Sequence, residues 1–206
     1  MLTARIAVLV SGGGTNLQAL IDAQARGELK SGQIALVIAD KAGIGAIGRA
    51  EAAGIDCALI VRKEPNFEEK VLSALLEHNI DMVVLAGFLG ILSGGFVEKF
   101  PGPMINIHPA LIPSFCGKGF YGLRVHQAAL DYGVKVTGAT VHYVNDIPDG
   151  GQIILQKAVD VLPGDTPEIL QRRVMEQAEW VLLPQAAELV SGQLVREADK
   201  LPGRSF

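Results

Sequence analysis

Five short apolar runs succeed one another through the first half of this chain: "RIAVLV" (5–10), "QIALVIA" (33–39), "CALIV" (57–61), "DMVVLAG" (81–87) and "MINIH" (104–108). Between the first four lie "NLQALIDAQARGE", "IGAIGRAEAAG" and "NFEEKVLSALLEHN", whose apolar positions recur at three- and four-residue spacing. Strand and helix in strict alternation give a parallel sheet with helices on both faces. Runs this rich in Val, Ile and Leu belong to strands covered on both sides. After residue 134 the pattern changes. "VKVTGATVHYV" (134–144) and "GQIILQKAVDV" (151–161) read as a hairpin around "NDIPDG", and "DTPEILQRRVMEQAEWVLLPQAAELV" reads as a long closing helix. Asp165 and Glu168 are placed as a capping box with Pro167 in the first turn, and Pro184 should kink or end the helix. The class is α/β: an open, mostly parallel twisted sheet with an antiparallel C-terminal edge.

A chain of 206 residues, 49% hydrophobic, reads as one domain with a sizeable core. A formal net charge of -4 argues against a nucleic-acid surface. The apolar run in "MLTARIAVLV" is too short to span a bilayer, and no cleavage pattern follows it. Cys57 and Cys116 form no CxxC pair, so the chain reads as cytoplasmic with reduced thiols.

Ligands of open α/β sheets gather outside the carboxyl ends of the strands. Two stretches stand there. "VLVSGGGTNLQAL" passes from the first strand into the first helix through Ser11, Gly12, Gly13, Gly14, Thr15 and Asn16, a backbone suited to an anion at a helix start. Asp40, ending the second strand, stands where a dinucleotide's ribose-binding acid would. But Gly12-x-Gly14-x-x-Leu17 lacks the third glycine, and no Gly-Lys-Ser/Thr follows. One phosphate of a mononucleotide-like substrate fits better than a dinucleotide; a plain strand-to-helix turn is the structural alternative. In "INIHPALIPSF" (105–115), strand alternation turns Asn106 and His108 to one side and Ile105 and Ile107 to the other.

A third group for that pair lies in "HYVNDIPDGGQIILQ", where His142 is on a strand and Asp146 and Asp149 ride the following loop. An aspartate near His108 would favour its charged form. Amide, imidazolium and carboxylate together suit attack by an amine on a carbonyl carbon, with no serine or cysteine nucleophile. Structural roles for the same His and Asp residues stay open, as does a metal site of His108, His126 and His142, although their spacing matches no metal motif.

"SGGGTNLQALID", "INIHPALIPSF" and "GVKVTGATVHYVNDIPDGGQIILQ" together closely resemble the phosphoribosylglycinamide formyltransferases, folate-dependent enzymes of purine synthesis. The likeness runs nearly the whole chain in the right order. It implies a Rossmann-like formyltransferase domain over 1–206, with a phosphate-binding half (1–100) and a formyl-folate and catalytic half (101–206). It implies transfer of the formyl group of 10-formyltetrahydrofolate to the amino group of glycinamide ribonucleotide, without a metal. Asn106 and His108 would polarise the formyl oxygen, Asp149 would keep His108 charged, and His142 would support them. Gly13, Gly14, Thr15, Asn16 and Glu179 would hold the ribonucleotide. Leu89, Gly90, Ile91, Leu92, Asn106, Val144 and Asp146 would enclose the folate, with "CGKGFYGLRVH" as a mobile cover. The partners implied are these two small molecules, with no nucleic acid or membrane, and a monomer or homodimer.

Two places depart from the family pattern. Gly90 stands where many members carry arginine, so a contact to the folate glutamate tail is missing or supplied elsewhere. "VRKEPNFEE" replaces an S-R-E-x-[FY] element, with Arg62 or Lys63 a loose substitute. Other formyl-folate enzymes fit less well. A deformylase would carry a preceding regulatory domain, and a methionyl-tRNA formyltransferase a following domain and a basic surface. A non-catalytic phosphate-binding protein of the same fold is the alternative outside enzymes.

Overall fold

The computed structural model describes residues 2–200. Seven strands form one sheet in the order β3-β2-β1-β4-β5-β6-β7. β1 (Ala4–Val10), β2 (Gly32–Ala39), β3 (Cys57–Leu59), β4 (Met82–Leu85) and β5 (Met104–His108) are parallel neighbours, and β6 (Val136–Tyr143) and β7 (Ile153–Asp160) add an antiparallel edge hairpin. The antiparallel edge is therefore two strands wide. β3 and β4 are shorter than their apolar runs. The chain leaves β4 at Leu85 because Gly87, at φ 69°, takes a left-handed turn that ends the extended run.

Helices α1 (Thr15–Ala25), α2 (Gly45–Ala52), α3 (Phe67–Glu77), α4 (Gly94–Lys99) and α5 (Leu123–Tyr132) connect the strands. α6 (Pro167–Val174), a π turn (Met175–Glu179) and α7 (Trp180–Asp199) close the chain as one continuous helical run. Each face of the sheet carries its own core. Val8, Leu17, Ile105, Ile107 and Leu183 pack on the face covered by α1 and α7. Leu9, Val71, Leu75, Phe96 and Met104 pack on the face covered by α3 and α4. Burying one such side chain contributes roughly 1.5–3 kcal/mol, so the two cores fix the parity of every strand. Leu17, at the position where a dinucleotide fold needs glycine, is wholly buried in the first core.

Two readings of the sequence need correction, and of the two outcomes offered for Pro184 one is ruled out. Thr166, not Asp165, caps α6: its side chain accepts the Ile169 N–H, while Asp165 accepts the Leu162 N–H and pairs with Arg173, 2.6 Å from Nη2. Pro184 does not end the helix, which continues through it to Asp199. The wide π turn finishes at Glu179, beside the Trp180 carbonyl that Pro184 leaves without its usual donor. The stretch read as a loop through residue 126 stops at Gly122. Val125, His126 and Ala129 recur at helical spacing and are buried in α5.

Candidate active site

The winding of the sheet reverses between β1 and β4, and the chain leaves these two strands and β5 at one end of the sheet. Gly14, at φ 75°, makes the turn from β1 into α1. A Cβ there would lie 2.8 Å from Ala46 of α2, so only glycine fits. Gly12 and Gly13 have open space where a side chain would stand.

At the end of β5 the expected parity holds: Ile105 and Ile107 enter the core, and Asn106 and His108 face the opposite way. The antiparallel register sets His142 of β6 directly beside Asn106. The 145–150 loop then carries Asp149 back over both, at φ 57°, a left-handed conformation that Asp tolerates better than most residues. Gly151 allows the return into β7, because a Cβ there would collide with the Tyr143 carbonyl.

Asp149 is the hub. Its Oδ2 lies 3.4 Å from His108 Nδ1 and accepts the Gly117 N–H at 2.8 Å. Its Oδ1 lies 3.5 Å from His142 Nε2 and 3.4 Å from Asn106 Nδ2. His142 Nδ1 is 2.7 Å from the Tyr143 carbonyl, which can only accept. The Nδ1–H tautomer follows, leaving Nε2 to accept from Asn106 Nδ2 at 3.2 Å. His108 Nε2 donates to the Phe115 carbonyl at 2.9 Å, from a residue itself held at φ 50°.

Burial pulls His108 below the usual imidazole range; the Asp149 carboxylate and the Phe115 carbonyl oppose it without overcoming it. Asp149 favours the charged ring, as expected from the sequence, but desolvation of the buried ring works against it and is the larger influence. Asp149 itself sits below the ordinary carboxylate range. Burial, the largest influence, raises it, but the nearness of His142 and His108 and the Gly117 N–H together lower it further.

Two hollows meet at this cluster, and Asn106 and Asp149 line both. One, about 400 Å³, is an apolar slot whose walls include Phe88, Leu89, Gly90, Ile91 and Leu92 on one side and Val144, Asp146 and Ile147 on the other. Ile91 is 71% exposed and Ile147 60%, two large apolar side chains left at its rim. The other, about 300 Å³, is lined by Gly12, Asn16, His108, Gln171 and Glu179 among others. Thr15 lies outside both and faces a shallow hollow with Arg49 and Trp180. Gly13 turns its carbonyl to Arg49.

Gly90 has no room for a longer residue in this packing. A Cβ would stand 2.6 Å from the Phe88 ring and 3.2 Å from Arg62 Cδ, so the stem of Arg62 runs where a side chain from residue 90 would begin. Gly12, the Phe115 carbonyl and the Gly117 N–H also belong to the site. The last two are backbone groups, invisible to any reading of side-chain types.

Glu179 is 7% exposed, and the Asn16 amide donates to its Oε2 at 2.6 Å. Burial pushes its carboxyl up to about 7, with the Asn16 bond opposing. Unfolded, the group ionises near 4.5. Between these values the folded state holds a proton that the unfolded state lacks, so stability falls as pH rises from 4.5 through 7 and then levels. Glu179→Gln should remove that slope. Its melting temperature relative to the parent should climb by several degrees between pH 4.5 and 8, at about 2–4 °C per kcal/mol for a chain of this size. Parallel melting curves across that range would show that Glu179 does not titrate there.

An amide, two imidazoles and a carboxylate stand together at the junction of the two hollows, the kinds of group that direct transfer between two bound molecules can use. Residues 4–186 match the family described as formyl transferase, and the chain belongs to that family. It is similar to the phosphoribosylglycinamide formyltransferase of Haemophilus influenzae, 37% identical over 96% of this chain and 92% of that protein. It is also 47% identical to the human trifunctional purine biosynthetic protein adenosine-3, over 94% of this chain but 19% of that protein. The chain thus spans about a fifth of the length of the trifunctional relatives it matches. The solved glycinamide ribonucleotide transformylase 1 of Symbiobacterium toebii superposes with a TM-score of 0.85 at 39% identity, covering 93% of this chain and 89% of that one. Among the described residues no helix is long and apolar enough to cross a membrane.

Proposed function

We propose that this chain transfers the formyl group of 10-formyltetrahydrofolate to the amino group of glycinamide ribonucleotide. The observation that carries the reading is the position of Asn106 and Asp149 in the wall shared by the two hollows. A flat heterocycle in the slot between residues 88–92 and 144–147 and a phosphorylated amine in the hollow beside the glycine loop and Asn16 would meet at that wall.

The amine nitrogen attacks the formyl carbon, a carbon–nitrogen bond forms, and the formyl oxygen gains negative charge. Asn106 Nδ2 and His108 Nδ1 each stand 3.4 Å from a different oxygen of Asp149, beyond the ordinary length of an N–H···O bond. Asn106 Nδ2 therefore keeps capacity for an incoming oxygen, and His108 Nδ1, whose ring already donates from Nε2, becomes a second donor only when the ring is protonated. The ring is buried and disfavours charge at rest, so the developing oxyanion, paired with Asp149 on the other side, is what would stabilise its protonated form. The attacking amine loses a proton, for which the ionised Asp149 is the nearest strong acceptor. Collapse breaks the bond to the folate nitrogen, which takes up the proton given to Asp149 by the amine and leaves as tetrahydrofolate. His142 touches Asn106 and Asp149 and is a positioning residue.

The test is turnover of purified protein with 10-formyltetrahydrofolate, with and without glycinamide ribonucleotide. Tetrahydrofolate formed only with the ribonucleotide supports the transferase. Release without it would make the protein a hydrolase, and no turnover at all would leave a binding protein. Asn16→Leu should raise KM for the ribonucleotide about tenfold or more, because Asn16 and Glu179 line the hollow beside the glycine loop together, and leave KM for the folate within about twofold. The opposite split would put the phosphorylated substrate in the other hollow.

A further inference from the structure

One hydrogen-bonded chain crosses the crevice where the sheet reverses its winding. Ser11, just beyond β1, donates its hydroxyl to Asp40 Oδ2 at 2.9 Å, and Ser11 Oγ itself accepts the Leu89 N–H at 2.9 Å. Asp40 follows the last residue of β2, and Leu89 stands in the segment after β4 that walls the apolar slot. A single hydroxyl thus ties the glycine loop to the facing wall across a separation of 78 residues.

Asp40 is a costly group for a fold to keep. It is 1% exposed, and its Oδ1 has no hydrogen-bond partner among the described residues. The nearest cation is Arg62, whose Nε lies 3.8 Å from Oδ2. That approach runs over Gly90, where a Cβ would stand 3.2 Å from Arg62 Cδ. To accept one serine proton, a buried amide oxygen would serve as well and cost less desolvation. The arrangement instead orients the hydroxyl. With its proton committed to Asp40, the lone pair of Ser11 is aimed at the Leu89 N–H.

From this, and resting on the proposed use of the apolar slot by the formyl donor, we infer that Ser11 and Asp40 are positioning residues for the donor-binding wall at 86–92. They act through the Leu89 backbone and touch no reacting atom. The other end of the segment is also fastened: Ser93 donates its N–H to Glu68 at 2.7 Å and caps α4. Releasing one anchor leaves the other as a hinge, so the wall spends less time in the conformation that the donor binds, which raises the apparent KM for the donor.

The experiment uses the full chain with Ser11→Ala, Asp40→Ala and Asp40→Asn. The Leu89 amide, followed by hydrogen exchange without ligands, should exchange about tenfold faster in Ser11→Ala and Asp40→Ala. KM for 10-formyltetrahydrofolate should rise about tenfold in both, with kcat within about threefold; KM for the ribonucleotide, whose hollow Ser11 and Leu89 also line, should rise less than that for the folate. Asp40→Asn should restore slow exchange and donor KM, since its amide oxygen still takes the Ser11 proton, and should melt no lower than the parent. Faster exchange with unchanged donor KM would reduce the chain to a structural tie and overturn the inference. Unchanged exchange, or a rise confined to ribonucleotide KM, would overturn it equally. Exchange needs no turnover, so an inactive parent whose Leu89 amide still loosens in Ser11→Ala would sink the proposed function and leave the anchor standing.

Discussion

Exchanging Asp149 for asparagine is expected to lower kcat by about three to four orders of magnitude while leaving the fold intact, the scale seen when a carboxylate that orients a catalytic imidazole loses its charge. The side chain is nearly isosteric, and asparagine accepts the left-handed φ of 57° that this position imposes. What changes is charge and acceptor number at a point touching His108, His142, Asn106 and the Gly117 N–H. Either orientation of the amide turns its NH2 toward a donor, Asn106 Nδ2 on one side or the Gly117 N–H on the other, and neither orientation carries the charge. The pH–rate profile supplies an independent reading. Asp149 opposes the lowering of His108 by burial, so its removal should let the imidazole fall further and move the corresponding limb to lower pH. Profiles that superimpose would remove Asp149 from any influence on His108.

The second large effect is expected at Asn106. Asn106→Ala should reduce kcat by roughly two to three orders of magnitude, the usual cost of one donor to a developing oxyanion. KM for either substrate should change much less, because the lost interaction strengthens as charge builds on the oxygen. The variant also strips His142 Nε2 of its partner at 3.2 Å, so part of the loss will come from a loosened His142. Asn106→Ala in a His142→Phe background separates the two: a shared pathway makes the double variant little worse than the single one. Near-normal turnover of Asn106→Ala would take the amide out of the chemistry.

Both effects rest on a cluster of which the sequence showed one part directly. Asn106 and His108 are two residues apart on a strand, and strand alternation alone puts them on one face. The same rule, applied to the alternation of apolar runs and helices, yields the class of the sheet, because apolar residues must be buried at the period of their backbone. The glycine loop is legible for a similar local reason: a left-handed turn at the start of a helix calls for glycine at Gly14. Cap positions were less secure. Asp165 and Thr166 are both good caps, and what separates them is Arg173, which takes Asp165 away.

The rest was decided by distance in sequence. Glu179 reads as a solvated charge on a helix until the sheet brings Asn16, 163 residues earlier, within 2.6 Å of it and removes water from both. Ser11, Asp40 and Leu89 belong to three different strand ends and become one chain only because β1 lies between β2 and β4. The state of His108 likewise needs the depth of its burial, which no neighbour in sequence reveals. The sequence by itself determined the elements, their parity and which residue types face the crevice, because those follow from short-range periodicity. Only the tertiary structure decided the order of strands, the partners across the crevice and the protonation of the buried groups, since hydrogen bonding and desolvation depend on atoms brought together from distant parts of the chain.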